Sequence, residues 1–533
     1  MTYAIFILIA LISYMNSQNG INIATAPSTP VIIKIIFKTP SDLEKPMFTS
    51  TTIKRSVIAS ACTAGLLLSG SASAVNWLML QGVEGKKAPD HRLFAFVQPA
   101  YDASVGGDKL EGLIGAGTPA NGSYAVPNTI TPDFNETSSV YLRRARLGMR
   151  GRLSGPLKNS FTSKINYFAM LALDDGLFNQ NQFSTDRRPA SIDHASLTFN
   201  HIPGARVRVG LFKNPVSDEI FQGVATIDFI QFTSFGATQV LENFYSGNTT
   251  TVGQTPNTNN NGTPKRQAYG FSAARDWGVQ VFDSFKVANK SWDLSYAVKV
   301  GRGESISRGS DSDNNEELYL YASAEKLLPG GRGPRKNGVK MYAWHQSGKR
   351  EFYTDATNES FDRTRYGIGV KALGKFFGSK YKHRFGAELA YAKGMIFLGP
   401  VAGVAGQTGN GYVGTVQLGA DEGNKSRAFQ AEYAFYLNKN WQFDVRWARE
   451  QRLYSVATGI DPGNEREIDG TTLGVTYNFT PKSRLTFNYE FRDVDQPNQY
   501  SGNGGVSNAA NNNVGIVTDS IGDRVGLQLT YIF

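Results

Sequence analysis

Between residues 141 and 153 the chain reads YLRRARLGMRGRL, and its side chains sort by parity. Ala145, Leu147, Met149, Gly151 and Leu153 fall on one side, and Arg144, Arg146, Arg150 and Arg152 on the other. A helix would scatter these residues round its circumference, whereas the two-residue period of a strand gives one apolar surface and one cationic ladder. The spacing predicts a strand. Water on one side and a continuous apolar medium on the other is what the wall of a transmembrane β-barrel offers.

From about His91 onward the same period recurs, interrupted by breaks of two lengths. Seven short breaks lie near residues 154–159, 201–205, 284–290, 326–338, 374–382, 438–440 and 481–483. Longer stretches rich in Gly, Asn, Thr and Asp include residues 102–138, 213–275, 402–424 and 495–521. The fold expected is all-β: a transmembrane antiparallel barrel with short periplasmic turns and long external loops. Seven turns with both ends periplasmic imply about 16 strands, with fourteen or eighteen as neighbouring solutions. Later strands keep the pattern: Leu485, Phe487, Tyr489 and Phe491 oppose Arg484, Thr486, Asn488, Glu490 and Arg492. Trp441, Phe443, Val445 and Trp447 oppose Gln442, Asp444 and Arg446. Aromatics gather near segment ends, where interfacial girdles would sit. The last strand ends on Tyr531-Ile532-Phe533.

Composition agrees without deciding. The 533 residues have a mean hydropathy of -0.30 and no run of about 20 apolar residues in the body of the chain, which excludes a helical membrane protein. Residues 47–74 have the form of an export signal: Lys54 and Arg55, an apolar run over residues 57–68, then Ser71-Ala72-Ser73-Ala74. The mature chain is expected to be residues 75–533, and residues 1–46 an upstream extension outside it; the alternative is a leader built on residues 4–14. The sole cysteine, Cys62, falls in the signal, so the mature chain would carry no thiolate or disulfide. The formal charge is +10, of which residues 1–74 supply +3. The remaining excess is modest, and without a clustered basic tract it does not indicate nucleic acid.

Three stretches carry a resemblance to the phosphate-selective porin O/P family of Gram-negative outer membranes. They are Tyr141-Leu142-Arg143-Arg144-Ala145-Arg146-Leu147; Lys164-Ile165-Asn166-Tyr167 with Ile192-Asp193-His194-Ala195-Ser196-Leu197; and Val209-Gly210-Leu211-Phe212-Lys213-Asn214-Pro215-Val216-Ser217-Asp218-Glu219. The resemblance implies a sixteen-stranded barrel, a homotrimer with one pore per subunit, outer-membrane localisation, and a long loop over residues 213–275 that folds inward and sets the constriction. It also implies an arginine in the first strand at a phosphate site, where residues 94–100 here offer the neutral Gln98.

The expectation is a passive channel favouring small anions such as phosphate. The lumen-facing cations singled out are Arg144, Arg146, Arg150, Arg152, Lys164, Arg206, Arg208, Lys213 and Arg446. A cleft lined by one sign of charge between low-dielectric walls concentrates counter-ions. Runners-up are a channel without phosphate selectivity and, in a different class, an outer-membrane adhesin or enzyme. Other signals are weak. Residues 369–376 nearly match a phosphate-cradling loop, but Phe376 stands where a magnesium-binding hydroxyl belongs. Residues 311–316 lack the glycine of a calcium loop, and the five histidines show no metal spacing. No cofactor is expected.

Overall fold

Every strand in the wall pairs with its neighbours in sequence, and the first pairs with the last. In the computed structural model the strands are β1 Arg92–Val105, β2 Ser138–Arg152, β3 Ile165–Ala172, β4 Ser191–Phe199, β5 Arg206–Lys213, β6 Arg275–Val287, β7 Trp292–Gly301 and β8 Glu317–Leu327. They continue as β9 Gly338–Tyr353, β10 Asn358–Gly374, β11 Lys382–Gly394, β12 Lys425–Tyr436, β13 Trp441–Ser455, β14 Arg466–Thr480, β15 Ser483–Asp495 and β16 Asp523–Ile532. All sixteen form one closed antiparallel barrel, so no edge is left to pair with another chain.

The structure describes residues 76–533 except 86–88, 114–120, 123–137, 154–160, 174–189, 242–243, 247–266, 270–273, 304–314, 331–335, 354–357, 398–417, 420–422, 456–464, 496, 498–514 and 517. The upstream extension, the signal and the calcium-like stretch at 311–314 therefore lie outside the described residues. The seven short connections fall where the breaks in period placed them. The rim opposite is not uniformly long-looped: β9 ends at Tyr353 and β10 begins at Asn358. The phosphate-loop look-alike runs from β10 into a turn, with no helix behind it.

Parity decides which surface each side chain meets. Met149, Trp277, Phe385, Phe443, Leu473, Phe487 and Leu529 stand exposed on the outer wall, while Arg384, Asp444, Thr472, Asn488 and Gln528 are buried within. An apolar exterior around a polar interior reverses the order of a water-soluble protein, and only a lipid surround stabilises it.

The lumen is not empty. A buried cluster inside the barrel joins Leu78, Val216, Ile220, Phe221, Phe235 and Val240 to wall aromatics such as Phe282, Tyr319, Tyr342 and Trp344. Two segments bring it there. One is residues 214–241, between β5 and β6, which hold a helical turn α2 at Asp218–Phe221 and a five-residue π-turn at Gly236–Val240. The other is residues 76–85, with the turn α1 at Trp77–Leu80.

Candidate functional site

The guanidinium groups of β2 face inward as their parity requires, with one addition. Gln98 pairs with Arg144 but Pro99 pairs with Leu142, so β2 carries an extra residue at Arg143. Proline offers no amide to the ladder, and a bulge absorbs the mismatch. Parity flips there, and Arg143 and Arg144 both point into the lumen. Arg143 Nη1 lies 3.5 Å from Asp102, and its Nη2 donates to Gln231 at 2.8 Å. Arg144 donates to the Gln98 Oε1 at 3.1 Å and lies over the Phe232 ring. Gln98 is itself fully buried.

Arg146 and Arg275 converge on one carboxylate, Asp193, at 3.2 and 3.0 Å. Lys213 lies near enough to Arg144, Arg146 and Arg275 to be repelled by each. Its ammonium donates to the carbonyls of Ile220 and Gln222 at 2.7 and 2.6 Å. Among the described residues, four guanidinium groups (Arg143, Arg144, Arg146 and Arg275) and the Lys213 amine thus gather near two carboxylates, Asp102 and Asp193. Arg143 and Arg275 escape a parity reading of the sequence, the first through the bulge and the second because it begins its strand.

The other expected residues are spread out. Arg150 and Arg152 lie toward the turn-side rim, paired with Glu84 and Asp90, and Arg206 meets Asp283 there. Arg208 donates to Thr198 Oγ1 and to the Leu78 carbonyl, both at 3.2 Å, with its guanidinium 4.3 Å above the Phe282 ring. Lys164 is a correction: it sits exposed in the turn Thr162–Lys164 ahead of β3, because the strand begins one residue later than its alternation suggests.

Across the lumen, cations anchor the inward segment. Lys340 and Lys371 hold Asp218, the latter at 3.2 Å. Arg446 bonds Glu219 at 3.0 Å and the Gln231 carbonyl at 3.1 Å. Arg384 and Arg484 grip Asp228, and Arg365 donates to the Gln239 carbonyl at 2.8 Å. A buried charge without a counter-ion or hydrogen bonds is costly, so carboxylates on the segment fit cations on the wall. Burial pushes the Asp218 carboxyl up, yet the two ammonium groups outweigh it and hold it down at about 2. For Glu219 burial wins over Arg446 and Thr233, and its carboxyl is raised. A small cavity of about 20 Å³ opens beside them, lined among others by Asp218, Glu219, Lys371, Glu388 and Glu432. Among the described residues no group of His, Cys, Asp or Glu is arranged to hold a metal.

The geometry so far is that of a barrel with a charged, partly filled lumen. Residues 124–322 match the family model for phosphate-selective porin O and P. The match covers β2 to β7 and most of β8, including the whole cationic cluster save the first-strand partners of Arg143 and Arg144. With the closed sixteen-stranded wall, it supports an outer-membrane porin and a channel rather than an enzyme. No curated protein matches the chain. Among solved structures, the anion-selective porin from Comamonas acidovorans is 12% identical with a TM-score of 0.42, covering 84% of this chain and 100% of that one. The outer-membrane channel DcaP of Acinetobacter baumannii is 14% identical, TM-score 0.41, over 85% and 99%. OmpF of Salmonella typhi, in complex with daunomycin, is 11% identical, TM-score 0.44, over 85% and 100%. Likenesses this distant leave the function to the chemistry of the lumen.

Proposed function

We propose that this porin is a passive, anion-favouring channel for small solutes such as phosphate, exported by the signal at residues 47–74 and working as a homotrimer. The observation that carries the reading is the gathering of four guanidinium groups near Asp102 and Asp193 among the described residues. Guanidinium forks present paired donors in fixed geometry, which suits phosphate and carboxylate oxygens. Gln98 adds no charge at the first strand; it holds Arg144 by its amide oxygen instead. The description of the matched family favours phosphate within that class.

In planar bilayers under a salt gradient the reversal potential should report anion preference, and added phosphate should depress the chloride current. Arg144→Ala with Arg146→Ala removes two charges, each worth about 1 kcal/mol at contact in a water-like dielectric, so the anion-to-cation permeability ratio should fall about fivefold for each, about thirtyfold where the two add. Cation preference in the unaltered protein would sink the reading. A second reading, a broader channel with weak selectivity, is favoured by the pairing of Arg384, Arg446, Lys340 and Lys371 with carboxylates. It would show as a reversal potential near zero and no response to phosphate.

A further inference from the structure

We propose that residues 76–85 are a built-in occupant of the passage that sets both its width and its charge. The inference rests on the porin reading and asks what limits flow through the lumen.

These residues lie ahead of the first strand, where the two-residue period has not yet begun. Their chemistry suits an interior. Leu78 is fully buried and Met79 nearly so, within the cluster that Ile220 and Phe221 of the inward segment also join. Apolar side chains placed where water and ions would pass exclude both. The segment is also tied to the inner wall at two points and to the inward segment at a third. Asn76 donates to Ser295 on β7, Asn166 on β3 accepts from the Glu84 amide at 3.1 Å, and Gln81 donates to the Phe221 carbonyl at 3.3 Å. Gly82 passes so close to β3 that a Cβ there would lie 3.3 Å from that of Phe168, and its φ of +98° admits glycine readily.

Charge is the second consequence. Glu84 binds Arg150, whose Nη2 also donates to the Val83 carbonyl at 3.3 Å, and the Leu78 carbonyl takes a hydrogen bond from Arg208. Two arginines of the wall thereby spend donors on this segment that they would otherwise offer to a passing anion. Residues 76–85 and 214–241 face one another through Trp77, whose ring lies against Gly223, so each braces the other.

The test deletes residues 76–85 from the exported chain and, separately, makes Glu84→Gln, with folding of each checked by heat-dependent mobility in detergent gels. Single-channel conductance and reversal potential are read in potassium chloride. The deletion should raise conductance about twofold or more, as a wider aqueous cross-section requires. Glu84→Gln should shift the reversal potential toward anions, since Arg150 loses its carboxylate. An unaltered protein that is silent and a deletion that conducts would also support the proposal, showing the occupant closing the passage. Equal conductance in folded deletion and parent would overturn it while leaving the porin reading intact. An unmoved reversal potential in Glu84→Gln would overturn the charge half. If neither parent nor deletion conducts, the porin reading fails and the proposal with it.

Discussion

Asp218 shows what holding a carboxylate inside a barrel requires. Its carboxyl is held down at about 2, below the ordinary value of about 3.9, so its contribution to the bound segment is fully present above about pH 4. That contribution is lost as pH falls through about 2. Lys371→Met leaves Lys340 alone against the effect of burial, and the carboxyl should titrate about one unit higher or more. The acid-induced change in conductance should then begin at correspondingly higher pH; an unmoved threshold would mean Lys371 does not anchor the segment. Residue identities of this kind were only half legible. Arg144 and Arg146 follow from parity, but Arg143 reaches the lumen through a bulge opposite Pro99, and no local rule sets which residue a bulge duplicates. Lys164 has the right parity and still misses the wall, since a strand boundary moves by a residue without any change in pattern. The partners were hidden too: Glu219 meets Arg446 across 227 positions of sequence, a separation that periodicity cannot see.

Elements were far more legible, because turns and alternation are local. The barrel strands emerge from the two-residue period, and Asn438, Pro481 and the stretch 201–205 mark turns by their own backbone preferences. What alternation leaves open is how neighbouring strands fill each other's gaps. Tyr342 and Trp344 on β9 lie opposite Gly369 and Gly367 on β10. A Cβ on Gly369 would fall 2.3 Å from Cζ of Tyr342, so the ring occupies the space a side chain would need. Tyr342 and Trp344 in turn donate to Glu388 at 2.9 and 2.7 Å, which also accepts from Ser217 on the inward segment at 2.9 Å. Gly369→Val should therefore act at two levels. Displacing the ring costs about 1–3 kcal/mol of barrel stability, read as a lower denaturant midpoint in lipid vesicles. It should also loosen the Glu388 contact and alter conductance in whatever fraction folds. Gly369→Ala, smaller by two methyl groups, should fall between parent and valine; a valine variant as stable as the parent would show that β9 and β10 repack freely.

At the scale of the whole molecule, the expected picture of arginines lining an open pore gives way to one in which most lumen cations already have partners. Two segments invisible to strand periodicity supply many of them: Asp218, Glu219 and Asp228 from residues 214–241, and Glu84 from residues 76–85. On the proposed reading, anion preference then depends on the net field of the guanidinium cluster near Asp102 and Asp193 and less on a continuous ladder. Such a field reaches only as far as salt allows, about 10 Å at 0.1 M and about 3 Å at 1 M. A cluster set into one side of the lumen is screened from the opposite wall at the higher concentration. Anion preference should therefore be pronounced when reversal potentials are taken between dilute solutions and should shrink markedly when both sides are raised tenfold at a fixed ratio. Selectivity enforced by direct hydrogen bonding of each ion at a narrow site would instead persist, because a contact of about 3 Å leaves no room for screening ions. Constancy across that range would move the source of selectivity from the field around Asp102 and Asp193 to a contact filter where the two inward segments meet.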